Sequence, residues 1–245
     1  MKLIVLGSSS KGNCYVMTDG TESLIIEAGV KWPEVKQLMG YNISSIASLI
    51  ISHEHGDHAG HVKEYIAAGI RVYSQAETLD NLKIANDHYT TCITPMKKTI
   101  VGGFTVIPLE VEHDVPCVAY LINHAGMGLT LFITDTFVFD YVIKDLRHIL
   151  IEANYADDIL DYNIEKGHLP IMLRKRLMTS HMELNTTKKV LLEQNLSKVR
   201  DIILIHLSDG NSDATRFTRE IEKATGRPTS VADAGMEIYF DDMPF

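Results

Sequence analysis

Residues 46–58 read Ile46-Ala47-Ser48-Leu49-Ile50-Ile51-Ser52-His53-Glu54-His55-Gly56-Asp57-His58. The first seven form an apolar run of the length of a buried strand. The last six carry three histidines and an aspartate. Residues two apart on an extended segment face the same side, so His53 and His55 converge on one point. Asp57 and His58 come one turn later, where the chain bends into a helix expected over 59–68 and ended by Gly69. They face a second point nearby. Gly56 is read as the residue that permits the tight turn between the two pairs. Imidazole and carboxylate are suited to zinc, iron or manganese, so the pattern predicts a metal centre. A single histidine beside a strand is ordinarily a surface or core residue. Three histidines and an aspartate wedged between a core strand and a helix do not fit that reading, nor that of a low-complexity metal tract.

Upstream, residues 2–7, 14–18 and 23–27 are apolar runs separated by turn residues such as Asp19-Gly20, and read as strands. A helix is expected over 33–39, with Pro33 near its first turn. Downstream, strands are expected at 70–74, 104–112, 117–123, 129–134, 148–152, 201–206 and 236–240. Helices are expected at 170–178, 185–195 and 213–225, the last stopped by Gly226. Two runs of strands, each followed by helices, predict two sheets packed face to face with helices outside. No repeat or Pro/Ser-rich linker divides the 245 residues, so residues 1–245 are expected to form one α/β domain.

The formal net charge is −9, which argues against broad electrostatic capture of nucleic acid but not against a local positive site made by bound metals. No basic leader or membrane-length apolar run is seen, and no obligate protein partner is evident. Cys14, Cys92 and Cys117 are odd in number and widely spaced, so they are read as reduced, buried apolar groups. A cytoplasmic location is the expectation.

The pattern His53-x-His55-x-Asp57-His58 resembles the HxHxDH signature of the metallo-β-lactamase-fold hydrolases. The resemblance spans nearly the whole chain and implies a four-layer αββα sandwich holding two divalent ions. It further implies that His113, after strand 104–112, completes the first site, and that Asp135 in LFITDT bridges both ions. His206 in ILIHLSD completes the second site. The implied sets are His53, His55, His113 and Asp135 for one ion, and Asp57, His58, Asp135 and His206 for the other. The family usually has an aspartate where this chain has Glu27 in LIIEAG, a carboxylate that braces the histidine loop without binding metal.

Residues 6–17, LGSSSKGNCYVM, resemble the SGSxGN opening of the small YycJ/WalJ-like metallohydrolases, and IHLSDGNSD resembles their HLSxxN segment. That branch implies a phosphodiesterase or nuclease, 5′-exonuclease-like, using a metal-bridging hydroxide on nucleic acid or a small phosphodiester. The alternative is a small-molecule hydrolase acting on a thioester, lactone or cyclic phosphodiester. Asp57 is a candidate to steer the attacking water or accept its proton. His181, in a segment similar to that group's GHLSN-like element, is a candidate phosphate donor or general acid. It stands equally as a neighbour of a helix cap formed by Ser180 or Asn185. Residues 8–13 form a hairpin turn or a phosphate cradle with Lys11 as a substrate-binding residue. Arg174, Lys175 and Arg176 face solvent on a helix or meet a nucleic-acid backbone.

Overall fold

Leu3, Val5, Tyr15, Met17, Leu24 and Ile26 alternate along the chain with Ile4, Cys14, Val16 and Ile25, and both sets are buried. Strands buried on both faces need cover on both sides. The structure, a computed structural model, describes residues 1–240 apart from the side chain of Leu173; residues 241–245 of the expected single domain lie outside the described residues.

The first sheet begins with β1 (Lys2–Ser9), β2 (Gly12–Thr18) and β3 (Ser23–Ile26). After helix α1 (Trp32–Leu38) come β4 (Ile46–Ile50), α2 (Gly56–Ala59), α3 (Val62–Ala67), β5 (Val72–Ser74), α4 (Ala76–Asn81) and β6 (Thr90–Cys92). The second sheet contains β7 (Thr99–Val101), β8 (Phe104–Val111), β9 (Cys117–His124), β10 (Gly128–Ile133) and β11 (Leu146–Glu152). Helices α5 (Asp157–Glu165), α6 (Ile171–Ser180) and α7 (Leu184–Glu193) lead to β12 (Asp201–Ile205). Helix α8 (Ala214–Thr225) and β13 (Thr229–Val231) follow, and β14 (Glu237–Tyr239) returns to the first sheet. Among the described residues each sheet has seven strands, in the orders β14-β1-β2-β3-β4-β5-β6 and β13-β12-β11-β10-β9-β8-β7.

One core layer, including Tyr15, Met17, Ile50, Phe104, Tyr120, Phe132 and Ile203, fills the space between the sheets. A second packs α1, α3 and α4 on the first sheet through Val35, Val62, Tyr65 and Leu79. A third packs α7 and α8 on the second through Leu184, Leu191, Phe217 and Ile221. The expected αββα sandwich is therefore present. No helix among the described residues is long and apolar enough to cross a membrane.

The single helix expected over 59–68 is instead two. The His58 carbonyl accepts from Ala28 N–H at 2.6 Å and the Ala28 carbonyl accepts from His61 N–H at 3.0 Å, so the loop after β3 takes up bonds the helical ladder would need. Asp57 and His58 thereby fall inside α2. Gly56 has open space around it and no unusual backbone; the glycine required here is Gly29, where a Cβ would overlap the Asp57 carbonyl oxygen. Gly226 does stop α8, in the left-handed conformation at φ 67°. Cys92 is exposed at the end of β6, whereas Cys14 and Cys117 are buried and burial pushes the Cys14 thiol up to about 12.

β3 and β4 are parallel, as are β10, β11 and β12. β8 is antiparallel to β9, and β9 to β10, so β8 runs with β10. The carboxyl ends of these strands thus gather at the edge of the sandwich, where the candidate ligands follow.

Candidate metal centre

Three polar residues at strand ends adopt a backbone that side chains other than glycine rarely take. Glu27 follows β3 with φ 68°, Asp135 follows β10 with φ 48°, and His206 follows β12 with φ 54°. All three are buried. Such strain costs on the order of 1–3 kcal/mol per residue and persists where the surroundings hold it. Here it turns each polar side chain back over the end of its strand.

The structure brings the seven predicted ligands together in two sets that share Asp135. Donor atoms of His53, His55, His113 and Asp135 lie within 4.8 Å of one another, and so do those of Asp57, His58, Asp135 and His206. Asp135 Oδ2 is 3.4 Å from His58 Nε2, 3.6 Å from His53 Nε2 and 3.8 Å from His113 Nε2. His206 Nε2 is 3.1 Å from Asp57 Oδ2.

These residues fit divalent cations on observations of the site itself. His53 Nδ1 is 2.9 Å from Ser52 Oγ, while its buried Nε2 faces Asp135 with no hydrogen-bond partner. His113 donates from Nδ1 to the Ser180 carbonyl at 2.9 Å, so Nε2 carries its lone pair and meets His55 Nδ1 at 3.2 Å. An orphaned nitrogen on His53 and a lone pair on His113, both facing the Asp135 carboxylate, are the arrangement a cation satisfies.

The site's charges act strongly on one another. Burial pushes the Asp57 carboxyl up, but hydrogen bonds to His206 and His58 outweigh it and hold the group well below the usual range. Burial opposes the charge on His206, yet Asp135, Asp57 and Glu152 raise the imidazole to about 10. Asp135 and its neighbours raise His58 in the same way, whereas burial and the nearby His58 charge lower His53.

Glu27 reaches the histidine loop as expected, despite its extra methylene. Its carboxylate accepts from Ser52 N–H at 3.2 Å and stands 3.6 Å from His58 Nδ1. His181 also joins the centre: its Nδ1 is 2.8 Å from Glu152 Oε1, and its ring stacks on His206 with centroids 5.4 Å apart. The cap of α7 is neither Ser180 nor Asn185; the Glu183 carboxylate accepts from the N–H groups of Asn185 and Thr186.

Lys11 lies apart from the cluster. Residues 10 and 11 form the turn of the β1–β2 hairpin, and Lys11 Nζ is 2.6 Å from Asp209 Oδ2 at an exposed position. It lines a cavity of about 910 Å³ whose wall includes Ser8, Gly29 and Leu207. Ser8 Oγ accepts from His206 N–H at 3.0 Å, which sets this cavity beside the centre.

Two participants escaped the sequence reading. Glu152 is buried, and besides His181 it meets His206 Nδ1 at 2.9 Å and accepts from Met182 N–H at 3.2 Å. Its signal was an apolar strand, HILIE, closing on a carboxylate in the manner of LIIE and LFITD. Asn13 Nδ2 lies 3.1 Å from His58 Nε2.

The sequence profile of the Metallo-beta-lactamase superfamily matches residues 9–70. The chain is 24% identical to exodeoxyribonuclease WalJ of Streptococcus pneumoniae (serotype 2, strain D39) over 230 residues, covering 86% of this chain and 83% of that protein. It is 25% identical to exodeoxyribonuclease YycJ of Bacillus anthracis over 230 residues, covering 85% and 83%. Among solved structures, the metallo-β-lactamase-fold protein YhfI from Bacillus subtilis aligns with a TM-score of 0.75 at 18% identity, covering 97% of this chain and 99% of that one.

Proposed function

We propose, from the premise that this chain carries the metallo-β-lactamase fold, that it is a dinuclear metal-dependent phosphodiesterase acting on nucleic acid, in the manner named for its WalJ and YycJ relatives. The observation that supports this reading is the pair of four-residue sets sharing Asp135. His53, His55, His113 and Asp135 would hold one cation, and Asp57, His58, Asp135 and His206 the other. The mixed nitrogen and oxygen donors suit zinc or manganese, and iron is compatible. Bound there, the cations would polarise a phosphoryl oxygen and lower the pKa of a water toward neutrality.

The chain's own residues divide the remaining work. Asp57, at the junction with His206, orients the attacking water. His181 donates a proton from Nε2 to the leaving oxygen, because its Nδ1 is engaged by Glu152. Burial disfavours the charged imidazole, but the buried Glu152 carboxylate outweighs it and raises His181, so the ring carries the proton that an alkoxide leaving group needs.

The test is turnover of labelled single- and double-stranded DNA, RNA and bis-p-nitrophenyl phosphate with added Mn²⁺ or Zn²⁺. Metal-dependent phosphodiester cleavage is expected. No such cleavage, beside clear thioesterase or lactonase activity, would favour a second reading, a small-molecule hydrolase. That reading draws on the cavity of about 910 Å³ next to the centre, a size suited to a small ligand, and on the net charge of −9.

A further inference from the structure

Helix α6 carries three cations, Arg174, Lys175 and Arg176, and no acidic residue, in a chain whose net charge is −9. Its inner side is accounted for. Arg174 pairs with Asp157 at 3.2 Å and also with Asp161, both on α5, and Leu177 is buried against Leu160 and Tyr155. Its outer side is not. Met172, Lys175, Arg176 and Thr179 are spaced i, i+3, i+4 and i+7, so they form one stripe along the helix. All four are exposed, and Met172 is 82% exposed. Among the described residues, Lys175 and Arg176 make no ion pair, unlike Arg174 beside them.

The helix that carries the stripe ends at the centre. Helix α6 ends at Ser180, whose carbonyl accepts from His113 Nδ1, and the next residue is His181 against Glu152. Met172 lies eight residues before Ser180, about 12 Å along the helix axis at about 1.5 Å per residue. A nucleic-acid strand carries one phosphate per about 3.4 Å when stacked, so the stripe matches a few nucleotides of a strand entering the centre.

We infer that the outer face of α6 is a docking track for single-stranded DNA, with Lys175 and Arg176 on phosphates and the Met172 side chain beneath a base. The inference rests on the phosphodiesterase reading and specifies its substrate as a strand long enough to leave the centre. Sequence-tolerant strand binding pairs cations along the backbone with side chains that contact base faces, and the flexible, polarizable Met172 thioether is the adaptable contact available on this stripe. A second copy of this chain seated symmetrically on the same stripe would bring Lys175 and Arg176 toward their own images, which charge disfavours.

The test combines binding and turnover. Anisotropy of a fluorescent oligo-dT with wild type, K175Q/R176Q and M172S is measured across a salt series, alongside KM for the same oligonucleotide and for bis-p-nitrophenyl phosphate. Loss of two phosphate contacts should reduce the slope of log K against log salt by about 1.4, at about 0.7 per contact on single strands. The KM for oligonucleotide should rise about tenfold relative to that for the small ester, a change equivalent to about 1.4 kcal/mol. An unchanged salt slope and KM ratio in K175Q/R176Q, with nuclease activity intact, overturns the track and leaves the phosphodiesterase reading standing. A wild type that hydrolyses no phosphodiester sinks that reading instead; the track then survives only if oligo-dT binding still depends on Lys175 and Arg176. A concentration-dependent dimer abolished by M172S, with oligonucleotide binding unchanged, overturns the track in favour of a second copy.

Discussion

Glu152 Oε1 lies 2.8 Å from His181 Nδ1, and the carboxylate is fully buried while the imidazole is only mostly so. A buried carboxylate behind a partly exposed imidazole fixes the ring's orientation and favours its protonated form. Replacing Glu152 by Gln keeps the shape and removes the charge. The kcat on an oligonucleotide should then fall about 10²–10⁴-fold, the usual scale of general-acid catalysis. A substrate with a good leaving group, such as bis-p-nitrophenyl phosphate, should lose much less. Equal losses on both substrates, or a loss that merely tracks metal content, would contradict the proton-donor role.

Asp135 joins the two ligand sets, and its left-handed backbone is one that asparagine tolerates. The variant Asp135→Asn should therefore fold while failing to neutralise two cations. Metal content by mass spectrometry should drop to about one ion per chain or fewer, because binding free energy is supplied by charged, deprotonated ligands. Full retention of metal in D135N would argue against its bridging position.

Glu27 is positioned by the same kind of strained backbone and accepts from Ser52 N–H. Glu27→Ala leaves that buried donor unpaired, which costs about 1–3 kcal/mol. The thermal midpoint of the ion-free protein should fall, and metal affinity should weaken about 10–100-fold through the freed His58 ring. Glu27→Asp should fall between the two. Calorimetry and metal titration would read both effects, and an unweakened metal affinity in E27A would refute the bracing role.

In the ion-free protein His206 is held up at about 10 against an ordinary value of 6.5: burial opposes its charge, but Asp135 outweighs it. The folded state therefore keeps a proton that the unfolded chain releases. This group's contribution to stability is full below 6.5 and is lost as pH rises toward about 10. Ion binding has the opposite dependence, because a cation needs the bare nitrogen. Metal loading should release protons, and apparent affinity should rise with pH. Titrations in buffers of different ionisation enthalpy would measure the release; zero proton release near neutrality would refute this account.

The seven candidate ligands were legible because each belongs to a short motif at the end of an apolar run, and the parallel strand directions turn those ends toward one edge. Glu152 has the same pattern, but one carboxylate after one strand has no spacing partner in sequence. The edge strands β6 and β7 are three residues each, too short for alternation to show. Helix α5 opens with two aspartates and buries only Leu160, so its periodicity was faint. The break between α2 and α3 depends on Ala28, thirty positions from His58, and long-range backbone bonding of that kind has no local signature.

The ligand sets draw on both sheets: His53, His55, Asp57 and His58 follow β4, while His113, Asp135 and His206 follow β8, β10 and β12 of the other. The connection between the sheets runs through residues 93–98, from β6 to β7. A chain severed there would leave Asp135 on one fragment and the histidine loop on the other, so neither fragment would own a complete set. Because β14 crosses back to pair with β1, the fragments also interlock. Recovery of hydrolysis on mixing would then serve as a reporter of fragment reassembly, with each added ion acting as a rivet between two separately made halves.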